Sequence, residues 1–184
     1  MLSVAEGGGD AMKERAQALM TGLNVELAGN RELPSRDQEA LSIQELKALG
    51  GFVVRHKTEA VGDGAVTSGR LYFSDENGKT NAVGRVQYAM SARSAQQALF
   101  ERLSMNSLPL EILLKRYEVK ADGPGDLCVV ERTFDKASGL FVVDESQMHF
   151  VRGSIVISIR SEDAGVKAME LAKELDQILV GGNN

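Results

Sequence analysis

Between Met148 and Arg160 the chain alternates by chemistry: Ile155, Ile157 and Ile159 fall on one side, and Ser154, Ser158 and Arg160 on the other. Side chains of a β-strand point to opposite faces in turn, so this stretch specifies a half-buried strand, apolar inside and polar outside, with Val156 on the outer face. Gly153 within it marks a bulge, a bend or a tight turn. A strand of this kind requires a sheet with at least one covered face. The cover follows directly. Ser161 reads as an N-cap, and Glu162 and Asp163 suit the positive end of a helix dipole. Val166, Met169, Ala172, Leu175, Ile178 and Leu179 then form an apolar stripe opposite Lys167, Glu170, Lys173, Glu174 and Asp176.

The rest of the strand-forming sequence lies upstream. Phe52–Lys57, Arg70–Ser74 and Gly84–Ala92 read as strands, the last two joined at Asn77-Gly78, a dipeptide suited to a type I′ hairpin. Leu110–Lys115, Leu127–Phe134 and Leu140–Val143 are further strand candidates. A helix is expected between the groups, opened by the capping box Ser94 to Gln97 and ended by Asn106, Ser107 and Pro109. The strands are grouped, not alternated with helices. That order specifies an α+β fold: an antiparallel sheet of six or seven strands packed against the C-terminal amphipathic helix.

The N-terminal end reads differently. Residues 1–10 are Gly-rich and acidic, and Met12, Ala16, Leu19, Met20 and Leu23 then recur at helical spacing behind Asp10 as N-cap. Residues 1–35 are expected to be a flexible lead and helical arm, and 36–184 a single domain. A short helix over 42–49 is expected from the box Ser42 to Glu45 and the stop Gly50-Gly51. The 11–23 stripe needs a cover, and a homodimer through it is one partner reading.

Composition narrows the function classes. The chain has 184 residues, a net charge of −5 and 43% apolar residues, enough to bury a core. Its longest basic cluster is Lys115–Arg116, so no nucleic-acid partner is expected. No apolar run is long enough to span a membrane as a helix. Met1–Gly9 has neither a basic nor an apolar signal region. The chain is therefore cytoplasmic, or extracytoplasmic (periplasmic or lipid-anchored) if a signal segment preceded Met1. The single cysteine, Cys128, sits in the apolar run 127–130 and reads as a core residue. The six Phe and three Tyr all lie between residues 52 and 150, which places the core and any ring-lined pocket there.

Catalytic motifs are missing. Gly78-Lys79-Thr80 lacks the preceding Gly of a phosphate loop, Gly62-Asp63-Gly64 lacks the rest of a dinucleotide fingerprint, and no Gly-x-Ser-x-Gly or His-Glu-x-x-His occurs. His56 and His149 stand far apart, so no metal site and no cofactor are expected. The ligand-binding candidates are Arg85, Tyr88, His149 and Arg152. His149 and Arg152 flank Phe150-Val151, and Arg85 and Tyr88 lie on another strand; neighbouring strands would make a basic pocket on the polar face. The competing expectation is a solvated face with cross-strand charge pairs.

The run Phe150–Ile159, followed by a helix over 164–179, resembles the end of exported bacterial domains of unknown function, some of them Mog1/PsbP-like α/β sandwiches. Ser154 stands where those domains have Asn. The resemblance implies a binding or accessory module, often a lipoprotein, and carries over no catalytic residue. The expected function is accordingly a non-enzymatic binding or accessory module of a bacterial protein. The alternatives are an enzyme whose site is assembled only in space and a dimerising protein using the N-terminal helix.

Overall fold

A computed structural model describes residues 8–29, 52–60 and 66–181. Seven strands form one antiparallel sheet: β1 (Val53–Ala60), β2 (Val66–Ser74), β3 (Thr80–Tyr88), β4 (Tyr117–Val119), β5 (Leu127–Asp135), β6 (Leu140–Arg152) and β7 (Ile155–Ser161). Their spatial order is β1-β2-β3-β7-β6-β5-β4. Two meanders thus meet where the last strand pairs with the third, and the α+β class stands. Among the described residues four helices accompany the sheet: α1 (Gly8–Gly22), α2 (Ala92–Ser104), α3 (Leu110–Arg116) and α4 (Ala168–Gly181).

Both faces of the sheet are covered. On one, Leu71, Phe73, Val86, Phe150, Ile155, Ile157 and Ile159 pack with Leu171, Ala172, Leu175 and Leu179 of α4. On the other, Val129, Val151 and Val156 pack under Leu19 and Met20 of α1, Leu99, Phe100 and Leu103 of α2, and Leu113 of α3. Val156, expected on a polar outer face, is fully buried in this second core. The N-terminal stripe finds its cover within the chain: Ala16, Leu19 and Met20 are buried here. Arg15 fixes α1 further by donating to the Asn106 carbonyl at 2.8 Å and to that of Leu108.

Several local expectations change. Leu110–Lys115 is helical, not extended. Its apolar residues fit either period, but Pro109 at the N-cap fixes a helix start, and Leu110, Leu113 and Leu114 recur at helical spacing toward the second core. The N-cap of α2 is Ser91, three residues before the expected Ser94; the two serines cap one another's backbone N–H at 3.1 Å. Asp10 lies inside the first turn of α1. Ser161 ends β7, and the turn after it is held by the Asp163 carboxylate, so α4 starts at Ala168. The β2–β3 turn is not type I′, because Gly78 alone has positive φ there; its N–H bonds the Asp75 carbonyl. Leu140–Val143 and Met148–Arg152 belong to the one strand β6, and Gly153-Ser154 makes the turn to β7. The helix expected over 42–49 lies outside the described residues.

Candidate functional site

The strand order brings two of the four expected site residues together. Arg85 on β3 pairs with Ser158 on β7, and Ser158 pairs with His149 on β6. All three face the helical layer of α1–α3, because they alternate with residues buried against α4. Tyr88 and Arg152 have the opposite parity. Tyr88 is buried in the α4 core, where burial pushes its hydroxyl up to about 12.

Arg152 is fully engaged by its neighbours. Its Nε and Nη2 donate to the two Asp176 oxygens at 2.7 and 2.6 Å, and Nη1 donates to Asp126 at 2.6 Å. Asp126 also accepts from Gly153 N–H, and Asp176 from Gly125 N–H. The guanidinium therefore brackets the β6–β7 turn, the 123–126 loop and α4 through paired, charge-assisted hydrogen bonds.

The row through His149 is a chain of donors that converges on Glu131 from both ends. Glu131 on β5 accepts from Arg116 Nη2 at 2.9 Å and Nε at 3.2 Å. His149 Nε2 lies 3.2 Å from the other Glu131 oxygen, and Nδ1 lies 2.7 Å from Ser158 Oγ. Arg102 Nη2, from α2, donates to the same Ser158 oxygen. An ionised carboxylate only accepts, so His149 carries its proton on Nε2. Nδ1 then accepts from the Ser158 hydroxyl, whose oxygen accepts from Arg102.

Burial sets the charges of the row. His149 is buried, and desolvation pulls it below its usual value of 6.5 despite the Glu131 hydrogen bond; the charges of Arg102 and Arg116 act in the same direction. The imidazole is neutral at neutral pH, so its contact with Glu131 is a hydrogen bond and not an ion pair. Burial raises the Glu131 carboxyl, but the His149 and Arg116 hydrogen bonds outweigh it and hold the group below the ordinary carboxylate value. Burial, and then the nearby Arg85 charge, lower Arg102 to about 10. Tyr117 beside the row is raised to about 12, first by burial and then by Glu131. It does not ionise near neutral pH.

Arg102, Glu131, Ser158 and Arg116 were not among the expected site residues. Four different elements supply them, and no shared spacing in the sequence links them. Cys128 is buried beside α4, its thiol raised to about 12 by burial, as suits an inert core residue. A separate groove of about 1020 Å³ between α1, α2 and α3 shares no residue with the row.

A second feature stands clear of the layers. The β5–β6 register jumps from Val130↔Met148 to Arg132↔Val143. Beyond the jump, Arg132–Asp135 pairs with Leu140–Val143 only. The β6–β7 ladder stops at Gln147↔Arg160, and β4 reaches β5 only up to Glu131. The hairpin therefore outgrows both neighbours. Phe134 stacks edge-on against Phe141 at 5.5 Å, yet Phe134 is 54% exposed and Leu140 65%; Val142 and Val143 are also exposed.

No family model, no curated protein and no solved structure matches this chain. Among the described residues no helix is long and apolar enough to cross a membrane.

Proposed function

We propose that this chain is a non-enzymatic binding module that acts by protein contact through the β5–β6 hairpin, with a second copy of itself as partner. The hairpin carries the reading. It presents four uncharged residues, Leu140–Val143, on a strand edge with no neighbour on the β7 side among the described residues. Exposed edges are normally blunted by charge, proline or a covering element. An antiparallel edge pairs with its own copy about a twofold axis, so the surface is self-complementary without any further fitting. The resemblance of Phe150–Ile159 and the following helix to exported bacterial domains, some of them Mog1/PsbP-like, supports the binding-module part of this reading, and an extracytoplasmic bacterial setting belongs to the proposal. Sedimentation equilibrium tests it. The wild-type chain should dimerise, and Val142→Lys should weaken the dimer by about tenfold or more while leaving the circular dichroism spectrum unchanged. A chain that stays monomeric at all concentrations, or a variant that associates as well as wild type, overturns it.

One observation favours an enzyme as a second reading. Ser158, His149 and Glu131 are hydrogen-bonded in the order nucleophile, base and orienting acid. Against it, Arg102 caps the Ser158 oxygen and the serine is half-buried within a strand. A fluorophosphonate probe decides: labelling at Ser158 that is lost in His149→Gln supports acyl transfer, and an unlabelled protein ends it.

A further inference from the structure

Among the described residues, none forms an ion pair with the positive charge at the outer end of the row. Arg102 has one hydrogen-bond acceptor, the neutral Ser158 hydroxyl, and its Nη1 is buried without a partner. Arg85, exposed on β3, pairs with Ser158 in the ladder and has no ion pair or hydrogen bond among the described residues. The two cations are close enough for each to feel the other's field. The nearest acid of the row, Glu131, is already shared by Arg116 and His149 and is separated from Arg102 by His149 and Ser158. Burying a charge without a counter-charge is costly, and a second like charge beside it adds to the cost. The fold nevertheless holds the half-buried Arg102 beside the exposed Arg85. Ser158 cannot supply the missing charge, because its proton goes to His149 and its oxygen is already an acceptor. His149 cannot swing away to free it, since Glu131 anchors the far side of the ring.

We propose that Arg85 and Arg102 form a binding site for an oxyanion, the phosphate or carboxylate group of a small ligand, seated above Ser158. A guanidinium presents two parallel N–H donors matched to the oxygens of either group. Arg85 supplies them from the open side. Arg102 supplies its unpartnered Nη1 from below after a rotation about its flexible stem. The Glu131–His149–Ser158 chain acts as a brace: it fixes the Ser158 oxygen, and Ser158 holds Arg102 at the base of the site. The site is independent of the hairpin and stands or falls separately.

Titration calorimetry with inorganic phosphate tests it, with acetate as a second arm and chloride at matched ionic strength as the reference. Saturable binding of phosphate alone identifies a phosphate group, of acetate alone a carboxylate, and of both an oxyanion site without preference. Arg85→Gln, an exposed change that leaves both cores untouched, should weaken binding about tenfold. Arg160→Gln, which removes an exposed arginine from the same strand as Ser158, should leave it unchanged. Thermal unfolding should rise with the bound anion in wild type and less in Arg85→Gln. No binding beyond the chloride reference in either arm, or equal weakening by Arg85→Gln and Arg160→Gln, overturns the proposal.

Discussion

Glu131 is the carboxylate on which the inner row depends. Its side chain is only 8% exposed, and it faces one guanidinium and one imidazole N–H. Replacing it by Gln leaves Arg116 without its hydrogen-bonded counter-charge, and urea unfolding should show a loss of roughly 2–3 kcal/mol, reduced from the fully buried case because Arg116 is one-third exposed. His149 makes the row pH-sensitive with a definite sign. Its folded pKa lies below the ordinary 6.5, so the unfolded chain binds its proton first as pH falls. The neutral ring's contribution is full above 6.5 and is lost below it. Glu131 acts in the same sense at more acid pH, since its folded value is also depressed. Wild type should lose stability as pH falls below about 6.5, and His149→Gln should be less stable at pH 7 with a shallower slope. An unchanged slope would show that the ring is already charged in the fold. At Arg152, Lys cannot reproduce the forked contact with Asp176, and Arg152→Lys should cost about 1–2 kcal/mol in the same assay.

At the scale of elements, two glycines at similar φ separate backbone strain from collision. Gly78 has φ 80° and open space around it; Gly125 has φ 79°, and a Cβ there would strike the Val151 carbonyl oxygen. Gly78→Ala should cost about 1 kcal/mol, and Gly125→Ala at least twice that, because the Asp126–Arg152–Asp176 bracket must move with it. Thermal unfolding of the two variants makes the comparison; equal losses would leave strain alone as the cause. Helix α1 is part of the domain core. Leu19 is fully buried, and Leu19→Ala should cost about 3 kcal/mol. What the sequence discloses of these elements follows their length. The long alternations of β3 and β7 and the stripe of α4 are plain. The six residues 110–115 fit both periods, and the choice falls to Pro109 and to the second core, which no local pattern announces. Alternation places Val156 on the face opposite the isoleucines but does not disclose that helices cover that face too.

At the scale of the molecule, the site follows from strand order. Arg85 and His149 were visible as polar residues on strands, but their meeting at Ser158 depends on β7 inserting between β3 and β6. Arg102 arrives from a helix on the covering layer. Neither step leaves a signature in spacing, so the row was half legible, and its charge imbalance not at all. The hairpin was hidden for a related reason: the exposed run Leu140–Val143 reads as a core strand until the sheet around it is known to stop short. The account rests on that run meeting another copy. Amide hydrogen exchange of residues 140–144, followed as a function of protein concentration, tests this most directly. Protection that rises with concentration in wild type, with the buried ladder of β3 and β7 unchanged, is the predicted result. Exchange at the same fast rate from the most dilute to the most concentrated sample would contradict it.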